Sequence, residues 1–302
     1  MSWLIQVGSR EIRVKGRLVR TAKLEGDGYQ FLDDPEPLLE QLRKSGTRMD
    51  LFTFTQQLPD TEPKYSYPME WHNFAALRVT TFEEWWNKTL GFKGRNKAKQ
   101  AEKKGVVIRE VPFSDELVKG IWEVYNETPI RQGEPNSHYG KSLETVHREE
   151  ATFLGSSVFI GAYLEGNLIG FAKLVHSENR GQAGLMNIVS MVRHRDKAPT
   201  NALVVQAVRS CAERGIPYLV YASFAYGKKQ RSSLTDFKER NGFQRIDLPR
   251  YYVPLTPVGA LALRLGLHRR FLDRLPESVA AKLREARAAW YQRKFQSTTE
   301  AV

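Results

Sequence analysis

Short hydrophobic segments alternate with polar loops along the first ninety residues. The pattern predicts strands at 12–18, 51–55 and 75–79, because apolar residues there are short and closely spaced. Leucines within 38–42 share one face of a helix that ends at Gly46. These residues therefore indicate a small α/β lobe.

The pattern becomes more regular from Gly105 onwards. Ser114 caps a helix with an apolar stripe, and glycine-containing turns separate three apolar runs that predict hairpin-linked strands. The predicted elements are strand 106–111, helices 114–125 and 142–154, strands 158–164, 168–175 and 185–192, helix 199–211, strand 218–225, helix 233–241 and strand 243–253. Their order is β-α-α-β-β-β-α-β-α-β, which predicts a mixed α/β domain.

Composition narrows the class of protein. The chain has 302 residues, 41% hydrophobic and 26% charged, as in soluble globular proteins, with room for two modules. Its single cysteine, Cys211, excludes an internal disulfide, and the six histidines show no ligand-like spacing, so no metal is expected. The absence of an export signal or a long apolar segment predicts a cytoplasmic protein.

The net charge of +12 is concentrated in two segments. Residues 88–104 hold seven basic residues and one acid, and residues 257–302 hold nine basic residues and four acids. Such runs are often only solvated helix faces. They also fit an anionic partner, and the charge does not distinguish between nucleic acid, a phosphorylated ligand and an acidic membrane surface.

The order of elements resembles that of the GNAT acyltransferases. The segment 237–243, Phe-Lys-Glu-Arg-Asn-Gly-Phe, is similar to the GNAT helix that ends in Gly-Phe before the last strands. The basic segment 95–106 and Lys238 are similar to the FemAB-type branch, in which two GNAT-like lobes occur in tandem and a lysine stands where most acetyl-CoA users have a tyrosine.

This resemblance implies an α/β (α+β) fold with a GNAT-like mixed central sheet flanked by helices. It implies a truncated GNAT-like lobe at 1–94, an acyltransferase domain at 95–255 and a basic helical tail at 256–302.

The resemblance also implies where donor phosphates bind. GNAT enzymes hold the acyl-CoA pyrophosphate at the amino end of the helix after the fourth strand. The corresponding basic loop supplies the candidate donor-binding residues Arg193, Arg195, Lys197, Thr200 and Asn201. It lacks the family's glycine spacing, and Pro199 removes a backbone donor. FemAB-type proteins use aminoacyl-tRNA instead, so acyl-CoA and aminoacyl-tRNA are both candidate donors. The alternative is that the loop is only an exposed basic turn.

An irregular segment after the first helix of this domain predicts the acceptor site. An acceptor amine must lose a proton, and His138 or Glu127 could take it, while Arg131 could hold an anionic group. The alternative is a polar surface loop in which Glu127 pairs with Arg131. The candidate substrate-binding residues are Asn126, Arg131, Gln132, Tyr139, Tyr221, Ser223 and Tyr226. On helix 142–154, His147 and Glu150 share an apolar face and either pair with each other or line the cleft.

Lys238 is the third candidate catalytic residue. By resemblance to the FemAB branch it meets a substrate phosphate or carbonyl oxygen, where a cation stabilises developing negative charge. The alternative is a favourable position near the carboxyl end of its helix.

The segment from Val258 to Leu275 is basic and amphipathic. It could lie on an anionic membrane at the inner face, where a lipid-linked acceptor would be found, or pack on the domain. The sequence therefore predicts an N-acyl or N-aminoacyl transferase that acts by direct attack on an amine of a cell-envelope or polysaccharide precursor. The rival hypothesis is a non-catalytic nucleic-acid-binding protein on the same fold.

Overall fold

A computed structural model of the chain describes residues 2–131, 134–225 and 232–269, together with Val279, Lys282 and Ala286. The strands are β1 Ser2–Val7, β2 Arg10–Lys15, β3 Thr21–Leu24, β4 Leu51–Thr55, β5 Met69–Arg78, β6 Val107–Val111, β7 Ile130–Arg131, β8 Glu134–Pro135, β9 Ser157–Leu164, β10 Asn167–His176, β11 Ala183–Ser190, β12 Tyr218–Val220 and β13 Gln244–Pro254. The helices are α1 Glu36–Lys44, α2 Phe82–Glu84 with a π-helical turn Trp85–Thr89, α3 Phe92–Lys103, α4 Asp115–Asn126, α5 Leu143–Glu150, α6 Pro199–Glu213, α7 Ser233–Arg240 and α8 Pro257–Arg264.

One mixed sheet runs through both predicted lobes. Within the described residues it has eleven strands, in the order β1-β2-β3-β4-β13-β5-β12-β11-β10-β9-β6. Strand β5, from the first ninety residues, lies between β12 and β13 and is antiparallel to both. Strand β13 in turn pairs with β4. The sheet therefore crosses the boundary predicted at residue 94, and the three-part division of the chain stays a prediction.

The α/β class is as predicted, and so is the element order from 105 to 254 apart from the two-residue strands β7 and β8, which the sequence did not predict. The three hairpin-linked strands are β9, β10 and β11, and the Ser114 hydroxyl caps α4 by accepting the Leu117 N–H at 3.2 Å. Strand β12 is much shorter than the predicted 218–225, because its pairing with β11 ends at Val220. Leu18 lies in the β2–β3 turn and not in a strand.

Helices cover both faces of the second half of the sheet. Along β10, Ala172 and Leu174 belong to the core under α6, whereas Phe171 belongs to the core under α4. This alternation is that of a strand buried on both faces. The lone Cys211 is buried in the α6 core, where burial raises the pKa of its thiol to about 12. The predicted helical tail 256–302 is described only as far as Arg269, where it includes α8, and at Val279, Lys282 and Ala286.

Candidate functional site

The central feature of the site is an opening between β11 and β12. The two strands are parallel but pair only at Ala183–Leu219 and Gly184–Val220. Strand β11 continues to Ser190, whereas the chain after β12 turns to β5: Tyr221 donates its N–H to the Ala75 carbonyl at 2.7 Å. The β10–β11 register also shifts by one residue at this depth, which leaves Met186 as a bulge. The edges of β11 and β12 therefore diverge beyond this short ladder and leave a V-shaped opening.

Lys238 lies on the β12 side of this opening. Ser232 caps the start of α7 by accepting the Thr235 N–H at 3.2 Å. Lys238 is on the buried side of this helix. The side chain is fully buried, with Nζ 2.6 Å from the Ser223 carbonyl oxygen and 4.5 Å from the centre of the Tyr221 ring. Burial lowers the pKa of Lys238 to about 8. Three predicted site residues, Lys238, Tyr221 and Ser223, thus come together.

A partly buried chain of polar side chains that sequence reasoning missed continues from Ser223 into the first lobe. His72 on β5 places Nε2 3.3 Å from the Ser223 hydroxyl and Nδ1 3.5 Å from Nη1 of Arg250. A guanidinium only donates, so Nδ1 accepts, and we assign the ring proton to Nε2, directed at Ser223. Arg250 is held by an ion pair with Asp27 and by the Thr53 hydroxyl at 3.1 Å.

Glu127 lies at the tip of β11, on the other side of the opening. Its carboxylate accepts the backbone N–H groups of Val192 at 2.6 Å and Arg193 at 2.8 Å. These amides begin the 3₁₀ turn Val192–Lys197, which is the loop predicted to hold donor phosphates. Glu127 therefore occupies backbone donors that an incoming phosphate would need, and the predicted ion pair with Arg131 is not what holds it.

Arg131 lies next to this turn. Its Nη2 donates to the Ser190 carbonyl at 2.6 Å, and the Ser190 hydroxyl lies 2.7 Å from the Thr200 hydroxyl. The other terminal nitrogen, Nη1, is buried without a hydrogen-bond partner in the described structure. Burial lowers the pKa of the guanidinium, against the pull of the Glu127 charge. The free donor makes Arg131 the best placed of the predicted residues to bind an anionic group.

The remaining predicted donor-binding residues surround the start of α6. Arg193 and Arg195 are exposed, and Asn201 lies in the first turn of the helix. Lys197 Nζ lies 3.4 Å from the Asp196 carboxylate, which also accepts a hydrogen bond from Lys104, the residue directly after α3, at 3.0 Å. The loop is thus fastened to the basic helix α3 and presents its two arginines to solvent.

His138 packs flat on Tyr125, with ring centres 4.0 Å apart and planes 15° from parallel. Its Nδ1 lies 3.4 Å from Lys141 Nζ. Burial, helped by the Lys141 charge, lowers the pKa of His138 to about 4. The imidazole is therefore neutral at physiological pH. Asn126 orders the same loop, because its side-chain oxygen accepts the Gly140 N–H at 2.7 Å.

Two of the predicted substrate-binding residues, Gln132 and Tyr226, lie outside the described residues. Tyr139 is exposed on the loop beside His138.

A second buried charge lies under this loop, where sequence reasoning expected a pairing of His147 with Glu150. Glu150 instead accepts the Tyr125 hydroxyl at 2.8 Å and the Asn187 side-chain amide at 2.9 Å. Lys173 on β10, fully buried, donates to the Glu150 carbonyl oxygen at 2.7 Å. Burial lowers the pKa of Lys173 to about 8 and raises that of Glu150. His147 points outward, 3.8 Å from Asp115.

Among the described residues, no helix is both long and apolar enough to cross a bilayer. In the same part of the chain, no group of three His, Cys, Asp or Glu side chains could hold a metal ion.

Comparison with known proteins identifies the fold. No protein-family model and no curated protein matches the chain. Among solved structures, FemX is similar, with a TM-score of 0.58 and 10% identity over 87% of this chain and 90% of that one. L-PGS from Bacillus licheniformis has a TM-score of 0.55 and 14% identity, over 89% and 90% of the chains.

A third similar structure is a C-terminal domain from Agrobacterium fabrum assigned to a lysylphosphatidylglycerol synthetase. It has a TM-score of 0.53 and 17% identity, over 87% of both chains. Sequence identities this low do not show a shared activity, but the structural match covers nearly the whole of each chain. The fold is GNAT-like and of the FemAB-like type, as the sequence predicted.

Proposed function

We propose that the chain is an acyltransferase that moves an acyl or aminoacyl group from an anionic, activated donor to an amine. Lys238 is the observation that carries the proposal: a buried ammonium beside the opening between β11 and β12. Negative charge develops on the carbonyl oxygen during acyl transfer, and a preorganised cation of low solvent exposure stabilises it strongly. A pKa of about 8 leaves most of this ammonium protonated at neutral pH.

The proposed reaction is one direct displacement. The amine nitrogen bonds to the carbonyl carbon, and the bond from that carbon to the sulfur or ester oxygen of the donor breaks. The amine gives up a proton and the leaving group takes one. We assign the proton acceptor to His138, because its imidazole is neutral; with a pKa of about 4 it is a weak base, so it takes the proton only as the new C–N bond forms and the amine becomes acidic. Glu127 is better suited to holding the 192–193 turn, because its carboxylate already accepts two N–H groups.

The donor is either an acyl-CoA or an aminoacyl-tRNA. Arg193 and Arg195 could contact phosphates of both, but the Glu127 carboxylate stands where a CoA pyrophosphate would accept backbone N–H groups. Two similar structures are named for L-PGS or for the synthesis of lysylphosphatidylglycerol, an aminoacylated lipid. These observations favour an aminoacyl donor. They support a lipid-linked envelope precursor as the acceptor. Both donors are made in the cytoplasm, and the proposal includes that location.

The decisive experiment measures acyl transfer by the purified full chain with panels of acyl-CoA and aminoacyl-tRNA donors and of amine acceptors. We expect turnover with one donor class, and a Lys238→Met variant about 10² to 10³-fold slower. Lys103→Met, an exposed lysine on α3, is the matched control and should be unchanged. Wild-type turnover in Lys238→Met would refute the assignment. No turnover with any donor, together with tight RNA binding, would favour the nucleic-acid-binding alternative.

A Glu127→Gln variant distinguishes the two donors. If CoA binds through the amides of Val192 and Arg193, removing the carboxylate charge should tighten CoA binding severalfold by calorimetry. If the donor is aminoacyl-tRNA, CoA binding should stay undetectable in the variant and in the wild type.

A further inference from the structure

One side of helix α8 exposes a row of large apolar side chains. The helix packs on the sheet through Gly259 and Ala262; Ala262 is 1% exposed, and a Cβ at Gly259 would overlap the Asp50 carbonyl. Val258, Leu261 and Leu265 are 44%, 57% and 62% exposed. Spacings of three and four residues put these three on one face of the helix. A contiguous exposed apolar surface of this kind usually marks an interaction site.

Asp50 brings a second exposed leucine to the same end of the sheet. The Asp50 carboxylate accepts the Arg20 N–H and the Thr256 hydroxyl, both at 2.9 Å, which joins the β2–β3 turn to the start of α8. Leu18 is 83% exposed in that turn. Leu18 is two residues from Arg20 and Val258 is two from Thr256, and two residues span at most about 7 Å. Two segments that are 240 residues apart in the sequence therefore meet here.

Both segments are basic and contain no acidic residue. Residues 12–24 include five Lys or Arg and no Asp or Glu, and residues 248–269 include three Arg and no Asp or Glu. Arg17 beside Leu18 and Arg264 beside Leu265 are exposed. We call Leu18, Val258, Leu261 and Leu265 with these two arginines the leucine surface. Its chemistry is apolar and positive.

We propose that the leucine surface docks onto an anionic lipid bilayer. Leucines beside arginines match the boundary between acyl chains and anionic headgroups, where each kind of side chain meets its preferred environment. Two copies of the chain would instead bring arginines against arginines with no acidic partner from either segment. The proposal narrows the predicted membrane contact from Val258–Leu275 to α8 and adds the β2–β3 turn. It does not depend on the acyl transfer activity.

Sedimentation of the full chain with vesicles tests this proposal. We expect binding to vesicles of equal phosphatidylglycerol and phosphatidylcholine, little binding to phosphatidylcholine alone, and about tenfold weaker binding in high salt. Leu261→Gln with Leu265→Gln should weaken binding at least tenfold, and Leu18→Gln severalfold. The matched control is Leu143→Gln with Leu154→Gln, leucines that are 46% and 44% exposed in the other half of the molecule. It should bind like wild type.

Several outcomes would overturn the proposal. Absence of vesicle binding by the wild type, or equal losses in the control pair, would do so. Wild-type binding by a Leu261→Gln, Leu265→Gln variant with a native circular dichroism spectrum would also do so. Sedimentation velocity tests the alternative that the leucine surface joins two copies of the chain. A dimer that dissociates in the same variant, without vesicle binding by the wild type, would support that alternative.

Discussion

Replacing Lys238 with methionine should separate stability from activity. Methionine has nearly the same length and fills the same buried site, but it carries no charge and donates no hydrogen bond. In the wild type, Nζ is fully buried and donates to the Ser223 carbonyl oxygen at 2.6 Å. Removing the ammonium therefore removes a desolvation cost and the hydrogen bond to the Ser223 carbonyl oxygen.

The two effects can be weighed from the structure. Burial lowers the pKa of Lys238 from 10.5 to about 8. At about 1.4 kcal/mol per pKa unit, keeping the ammonium charged costs the folded state on the order of 3 kcal/mol. Leaving the Ser223 carbonyl without this donor costs about 1–3 kcal/mol. The variant should thus be as stable as the wild type at pH 7, or up to about 2 kcal/mol more stable.

The difference in stability between the Lys238→Met variant and the wild type should depend on pH. The folded-state pKa lies below that of the unfolded chain, so between about pH 8 and pH 10.5 the unfolded chain binds more protons. Raising the pH through that interval therefore stabilises the wild type. The Lys238→Met variant lacks this gain, so its advantage near pH 7 should shrink or reverse near pH 10.

Urea denaturation at the two pH values measures these differences, with Lys103→Met as the exposed-lysine control. Acyl transfer by the same variant should fall about 10² to 10³-fold. A loss of more than about 3 kcal/mol at pH 7 would show that the ammonium is mainly structural. Unchanged turnover would show that it takes no part in the reaction.

Two further predictions concern the buried polar groups. Lys173→Met should lower the free energy of unfolding by about 3–5 kcal/mol, because it removes the cation 4.0 Å from the buried Glu150 carboxylate, and adding Glu150→Gln should recover part of the loss; urea denaturation measures both. His72→Phe and Ser223→Ala should each slow acyl transfer roughly fivefold, as loss of the hydrogen bond between these two side chains would, and the double variant should be no slower than either single one. Additive losses in that cycle would contradict the assigned contact.

Local signals account for the elements that the sequence predicted well. The capping serine at 114, the helical stripe of α4 and the turn-separated strands β9 to β11 each depend on residues a few positions apart. The same local reading, with the family resemblance, placed Lys238 on a helix and Tyr221 and Ser223 on the preceding strand. It also placed Glu127 in an irregular segment, but it could not show that the carboxylate is already bonded to Val192 and Arg193.

The sequence alone thus determined the order of elements, the GNAT-like class and the helix that carries Lys238. Only the tertiary structure decided that β5 enters the sheet between β12 and β13, which puts His72 and Arg250 beside Ser223. It also decided that Asp50 joins Leu18 to α8. The physical reason is that strand pairing and polar contacts join residues that lie far apart in the sequence, and their meeting depends on backbone register and burial rather than on local spacing.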